Sequence, residues 1–184
     1  MLRVVLDTNT VVSGIITISG VSAEVIDLLV EQRRFQAVFS DEILREYEGV
    51  LRRPRFRLPP EKVKSLLAFF ETHGLKVTPQ NLVQVITDDP SDNKFLAAAK
   101  EAGADCIVSG DKHLLGCIHG LGQCPLLIPP HAGEGFHIIE RRASRLPPLV
   151  NAPHLLSLGK FEDIPILNSR QFLQMMHAAE TRTG

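Results

Sequence analysis

The chain opens on an apolar run, Leu2, Val4, Val5 and Leu6, that ends on Asp7. A run of this kind, without strict alternation, predicts a strand buried on both faces, as at the centre of a parallel sheet. Helical spacing of Val21, Val25, Leu28 and Leu29, with Ser22 and Glu24 on the other face, predicts a helix over Val21 to Val30. Gln36 to Phe39 reads as a short strand, and Ser40 is placed to cap a helix from Asp41 to Leu51. Arg53-Pro54 ends that helix, because the residue before a proline is pushed out of the helical region. Pro60 opens a further helix, Glu61 to Thr72, with an apolar face of Val63, Leu66, Leu67 and Phe70, and Gly74 stops it.

Val83 to Ile86 is expected as another strand, leading through an acidic turn into an alanine-rich helix that ends at Gly103. Cys106 to Val108, a strand, runs into SGD, and the chain closes with a strand at Ile164 to Leu167 and a helix at Ser169 to Ala178. Strands alternating with helices predict an α/β fold with a mainly parallel central sheet. The segment from Gly116 to Pro153 breaks this rhythm, being dense in Pro, Gly and His, and a loop of that length points to an insertion within a single domain.

Ligands in such sheets bind at the carboxyl ends of the strands. Three acids are expected there: Asp7 after the first strand, Asp92 within DDPSDNK, and Asp111 in SGD. Asp7 has two readings, as a ligand at that edge or as the N-cap of the helix that follows. Carboxylates gathered as anions need a compensating cation, and hard oxygen donors without clustered His or Cys favour Mg²⁺ or Mn²⁺ over zinc. A fourth acid from the Asp41 to Leu51 helix could be Glu42, Glu46 or Glu48, around a buried stripe of Leu44, Tyr47 and Leu51, and spacing does not choose among them. Each could equally belong to a solvated face.

Composition narrows the partners. The 184 residues carry 20 basic and 21 acidic side chains, a formal charge of −1, so any nucleic-acid contact must come from a local patch. The densest basic run is Arg52, Arg53, Arg55 and Arg57, read as a rail for a phosphate backbone in preference to a solvated loop. No apolar run approaches a membrane span and no signal-peptide pattern precedes the first strand. Three cysteines, Cys106, Cys117 and Cys124, without a C-x-x-C pair favour a reducing cytoplasm.

The pieces VVLDTNTVVSG, SDEILREYEGVLRRPRF, DDPSDNKFLAAAKEAGADCIVSGDKHLL and FEDIPILNSRQFLQMM together resemble the PIN-domain nucleases, in particular the branch assigned as toxins of toxin-antitoxin loci. The resemblance implies a PIN-like α/β/α sandwich and puts the family's acids on Asp7, Glu46, Asp92 and Asp111. Asp89 matches the first acid of the D-P-x-D turn, where a capping role is expected. By the same resemblance one or two Mg²⁺ or Mn²⁺ ions are held by Asp7, Asp92 and Asp111, with Glu46 acting directly or through water. These ions would activate water and polarise the phosphodiester of an RNA, leaving a 5′-phosphate and a 3′-hydroxyl. Thr8, Asn9 and Ser109 are expected to orient the acids, Asn93 to hold a carboxylate, and Lys94 either to meet a phosphate or to solvate its helix. A small antitoxin protein and a homodimer are the partners that the resemblance implies.

The Gly116 to Pro153 segment is not part of that pattern. Cys117, His119, Cys124, His131 and His137 are soft ligands, but they lack clean zinc spacing. Arg141, Arg142 and Arg145 could contact RNA or an antitoxin; a surface hairpin or loop, with Phe136, Ile138 and Ile139 as a short strand, is the preferred reading. Among rival functions, a haloacid-dehalogenase-type phosphatase needs an acid two residues after the first, where this chain has Asn9. A receiver domain needs paired acids near the first strand, and only Asp7 stands there. The remaining rival is a noncatalytic acid-pocket module that works by binding a nucleic acid or protein.

Overall fold

The computed structural model describes residues 1–17, 19–80, 83–86, 90–110 and 159–180. Its sheet begins with β1 (Leu2–Leu6), whose Val4, Val5 and Leu6 are all fully buried. Successive strand side chains point to opposite faces, so burial of three in a row means that both faces are covered. From β1 the chain enters α1 (Thr8–Ile16) and α2 (Val21–Val30), then β2 (Phe35–Phe39), α3 (Asp41–Leu51) and α4 (Pro60–His73). It continues through β3 (Leu75–Lys76), α5 (Asn93–Ala102), β4 (Cys106–Ser109), β5 (Lys160–Phe161), β6 (Ile164–Asn168) and α6 (Ser169–Glu180).

The strands lie in the order β3-β2-β1-β4-β6-β5, all pairs parallel except β5 with β6. This is an α/β fold with a mostly parallel sheet flanked by helices. In register, Leu6 stands opposite Val108, so the residues after β1 and those at the end of β4 share one edge. Alanine-rich α5 buries Phe95, Leu96, Ala98, Ala99 and Ala102, small enough to let it lie close against β1, β2 and β4. Phe70 of α4 packs on Tyr47 of α3 (5.3 Å between ring centroids) and on Phe39 of β2, and Phe35 meets Phe172 of α6 edge-on.

Two helix boundaries agree with the pattern residue for residue, α2 and α3, although in α3 Ile43 rather than the expected Leu44 joins Tyr47 and Leu51 in the buried stripe. Ser40 caps α3 by accepting the Ile43 N–H, as its position predicts. Ser22 differs: it is buried, 3.2 Å from the Ser169 hydroxyl at the start of α6, because α2 is covered on that side as well.

The strand expected at Val83 to Ile86 does not form. The N–H groups of Val85 and Ile86 both donate to the side-chain oxygen of Asn93, and the Ile86 carbonyl accepts from the Asn93 amide. A side chain thus takes the backbone groups that a ladder would have used. The strand next to β2 is instead Leu75–Lys76, extended by a 2.8 Å bond from the Val77 N–H to the Phe39 carbonyl. At two residues it is too short to carry a readable alternation.

Candidate active site

Asp7 follows the last residue of β1 and is 3% exposed. Its backbone N–H bonds the Val108 carbonyl, extending the β1–β4 pairing and locking the residue at the sheet edge. The capping reading of Asp7 is met, since the side chain caps α1, accepting the Thr10 N–H at 2.7 Å, and the carboxylate also faces the end of β4. There the Ser109 hydroxyl donates to Oδ2, and the Gly110 N–H lies 3.1 Å from both oxygens. Gly110 is required for this approach: a β-carbon there would stand 2.8 Å from that of Asn9. These donors are neutral and lower the pKa of the Asp7 carboxyl, but burial outweighs them and raises it above its ordinary 3.8.

Glu46 enters from the exposed side of α3, with its side chain 30% exposed. The Thr8 hydroxyl donates to its Oε1 at 2.5 Å, and the Lys94 ammonium pairs with its Oε2. Thr8 is the residue after Asp7 and Lys94 is in the first turn of α5, so three elements meet at this one carboxylate. Glu48, by contrast, pairs with Arg52 one turn along the same helix.

A residue that sequence reasoning treated only as core holds the backbone just before Asp7. Tyr47 is fully buried, and its hydroxyl donates to the Leu6 carbonyl at 2.5 Å, immediately before Asp7. Burial raises its pKa well above 10, and the Asp7 and Glu46 charges add to the shift. The only signal in the sequence was its place in the α3 stripe, which does not distinguish a core tyrosine from one beneath a site.

Asp92 ends the 3₁₀ turn Pro90–Asp92 and occupies the N-cap position of α5, two residues before Lys94, without its side chain capping that helix. Asp92 is therefore delivered by a turn rather than by a strand end. Asn93 is committed differently from the expected carboxylate contact. Its oxygen accepts from Val85 and Ile86, and its amide donates to the Ile86 and Pro90 carbonyls, which uses all four of its hydrogen-bonding positions. Asn93 holds the backbone leading to Asp92. Asn9 packs against Gly110, and Asp89, Asp111 and the Gly116 to Pro153 segment lie outside the described residues.

The basic run is partly engaged. Arg52 is paired with Glu48, and Arg55 stacks 4.6 Å over the Phe56 ring, while Arg53 and Arg57 are exposed. Among the described residues no three His, Cys, Asp or Glu side chains gather closely enough to hold a metal ion. The donor chemistry nevertheless fits a hard divalent cation. Asp7, Glu46 and Asp92 offer oxygen only, and Asp7 is a buried carboxylate whose described hydrogen-bond donors carry no charge. Cys106 adds no soft ligand, since burial and then Asp105 push its thiol up to about 12.

Comparison with known proteins agrees with this architecture. The uncharacterized protein MJ1680 of Methanocaldococcus jannaschii is 29% identical over 117 residues, covering 62% of this chain and 74% of the relative. Residues 3–113 match the model of the PIN domain, a span that contains Asp7, Glu46, Asp92 and Asp111. On that match over more than half of its length, the chain belongs to the PIN-domain family, whose members are generally metal-dependent nucleases.

Proposed function

We propose that this protein is an endoribonuclease that hydrolyses RNA phosphodiesters with Mg²⁺ or Mn²⁺, as the toxin of a toxin-antitoxin pair acting in the cytoplasm. The observation that carries this reading is Asp7: a buried carboxylate at the sheet edge, ringed by neutral donors, whose chain neighbour Thr8 bonds Glu46. Asp7, Asp92 and Asp111 would hold the cation, with Glu46 contributing beside them. A bound divalent cation supplies positive charge that acidifies a water and polarises the scissile phosphate. The chain's own part is to keep Asp7 oriented through Ser109, Gly110 and Thr10, and Glu46 through Thr8 and Lys94. Arg52, Arg53 and Arg55 would meet the RNA backbone beyond the acids, positioning the strand without reading its sequence.

The partner protein in this reading is a small antitoxin, and the working form is a homodimer. The deciding experiment is cleavage of a labelled, mixed-sequence single-stranded RNA with and without Mn²⁺ or Mg²⁺, with Asp7→Asn in parallel. Metal-dependent cutting that leaves 5′-phosphates and falls at least about 100-fold in the variant is expected, since even residues behind a metal ligand cost about 10–100-fold. A folded protein that binds no metal and cuts no RNA would move the assignment to a noncatalytic acid-pocket module.

A further inference from the structure

Lys94 is a largely buried lysine paired with a single acid. Its side chain is 11% exposed, its ammonium is paired with Glu46 Oε2 and bonds the Ser91 carbonyl at 2.5 Å, and it lies 4.9 Å over the Phe95 ring. Neither expected role, phosphate contact nor helix solvation, accounts for a cation enclosed in this way. Glu46 is correspondingly engaged on both oxygens, by Thr8 on one and by Lys94 on the other. An ammonium in contact with a carboxylate oxygen cancels the charge that would draw a divalent ion to it, and repels such an ion from that side.

We propose that Lys94 is a positioning residue that reserves Glu46 for water: paired with Lys94, Glu46 reaches the cation of the site only through an intervening water and is not one of its direct ligands. This rests on the metal-dependent reading above and selects one of the two roles open to Glu46. Thr8 and Lys94 fix the carboxylate plane from two directions, which is what a group that orients a water requires. Asp7, whose described donors are uncharged, keeps the direct role.

The test is Mn²⁺ affinity of the full chain, measured by electron paramagnetic resonance without substrate, for wild type and the variants Asp7→Asn, Glu46→Gln, Lys94→Met and Lys94→Arg. Asp7→Asn is expected to weaken Mn²⁺ binding by about 30-fold or more, and Glu46→Gln by no more than about threefold. Lys94→Met, which frees the Glu46 charge, is expected to tighten binding about tenfold, whereas Lys94→Arg restores the wild-type value. Glu46→Gln weakening Mn²⁺ as severely as Asp7→Asn, or Lys94→Met leaving the affinity unchanged, would overturn the inference while the nuclease reading stands. Should Lys94→Met fail to fold, Lys94→Gln, which keeps a polar group toward the Ser91 carbonyl while removing the charge, replaces it with the same tightening expected. Absence of Mn²⁺ binding by the folded wild type would sink both.

Discussion

Asp7 carries a cost of burial that its capping bond and its other neutral donors do not remove. Its carboxyl is raised by burial, so the folded protein binds the proton more tightly than the unfolded chain does. Between the ordinary value of 3.8 and the raised folded value, metal-free protein therefore loses stability from this group as pH rises. Melting curves in chelator should show Asp7→Asn more stable than wild type at neutral pH, with the difference shrinking on acidification. A variant that melts lower throughout would contradict this account of the site. Tyr47 is the complementary case. Tyr47→Phe removes the donor to the Leu6 carbonyl, and a loss of about 1–2 kcal/mol in urea unfolding is expected.

At the scale of elements, the bounds of α2 and α3 and the Ser40 cap of α3 were legible because each depends on residues within one or two turns, whereas the α3 stripe buries Ile43 with Tyr47 and Leu51 and leaves Leu44 partly exposed. The segment 83–86 was not legible, since its apolar residues fit a strand while Asn93, seven or eight positions on, takes its backbone groups. Asn93→Ala should therefore raise amide exchange at Val85 and Ile86 well above that in the sheet, and lower cleavage by loosening the approach to Asp92. Unchanged exchange at those two amides would mean that Asn93 does not hold the segment. The α1–α2 corner depends on Gly14, where a β-carbon would stand 2.5 Å from the Ser22 carbonyl oxygen and closer still to Ile26. Gly14→Ala is expected to cost about 1–3 kcal/mol from overpacking, read by the same urea titration.

For the molecule as a whole, a formal charge of −1 limits how RNA can be held. Among the described residues Lys94 is held by Glu46, and the phosphate contacts proposed above come from the short Arg52, Arg53 and Arg55 run. Binding of a single-stranded RNA to Asp7→Asn should weaken with salt at a log–log slope of about −1.5 to −3, corresponding to about two to four phosphates at roughly −0.7 each. A much steeper slope would require a basic surface beyond the described residues. Among those residues, no single helix is long and apolar enough to cross a membrane.

The sequence by itself determined the α/β alternation, the strand ends that carry Asp7 and Ser109, and the helix that carries Glu46. These follow from local periodicity and from capping chemistry that any segment shows on its own. The tertiary structure alone decided that Thr8 and Lys94 share Glu46, that Tyr47 bonds the backbone just before Asp7, and that Asn93 serves the backbone rather than a carboxylate. Glu46 and Lys94 lie far apart in the chain and meet only because parallel strands bring α3 and α5 to the same edge. A hydrogen bond between distant residues leaves no mark on the periodicity of either segment, so their pairing had to be read from the fold.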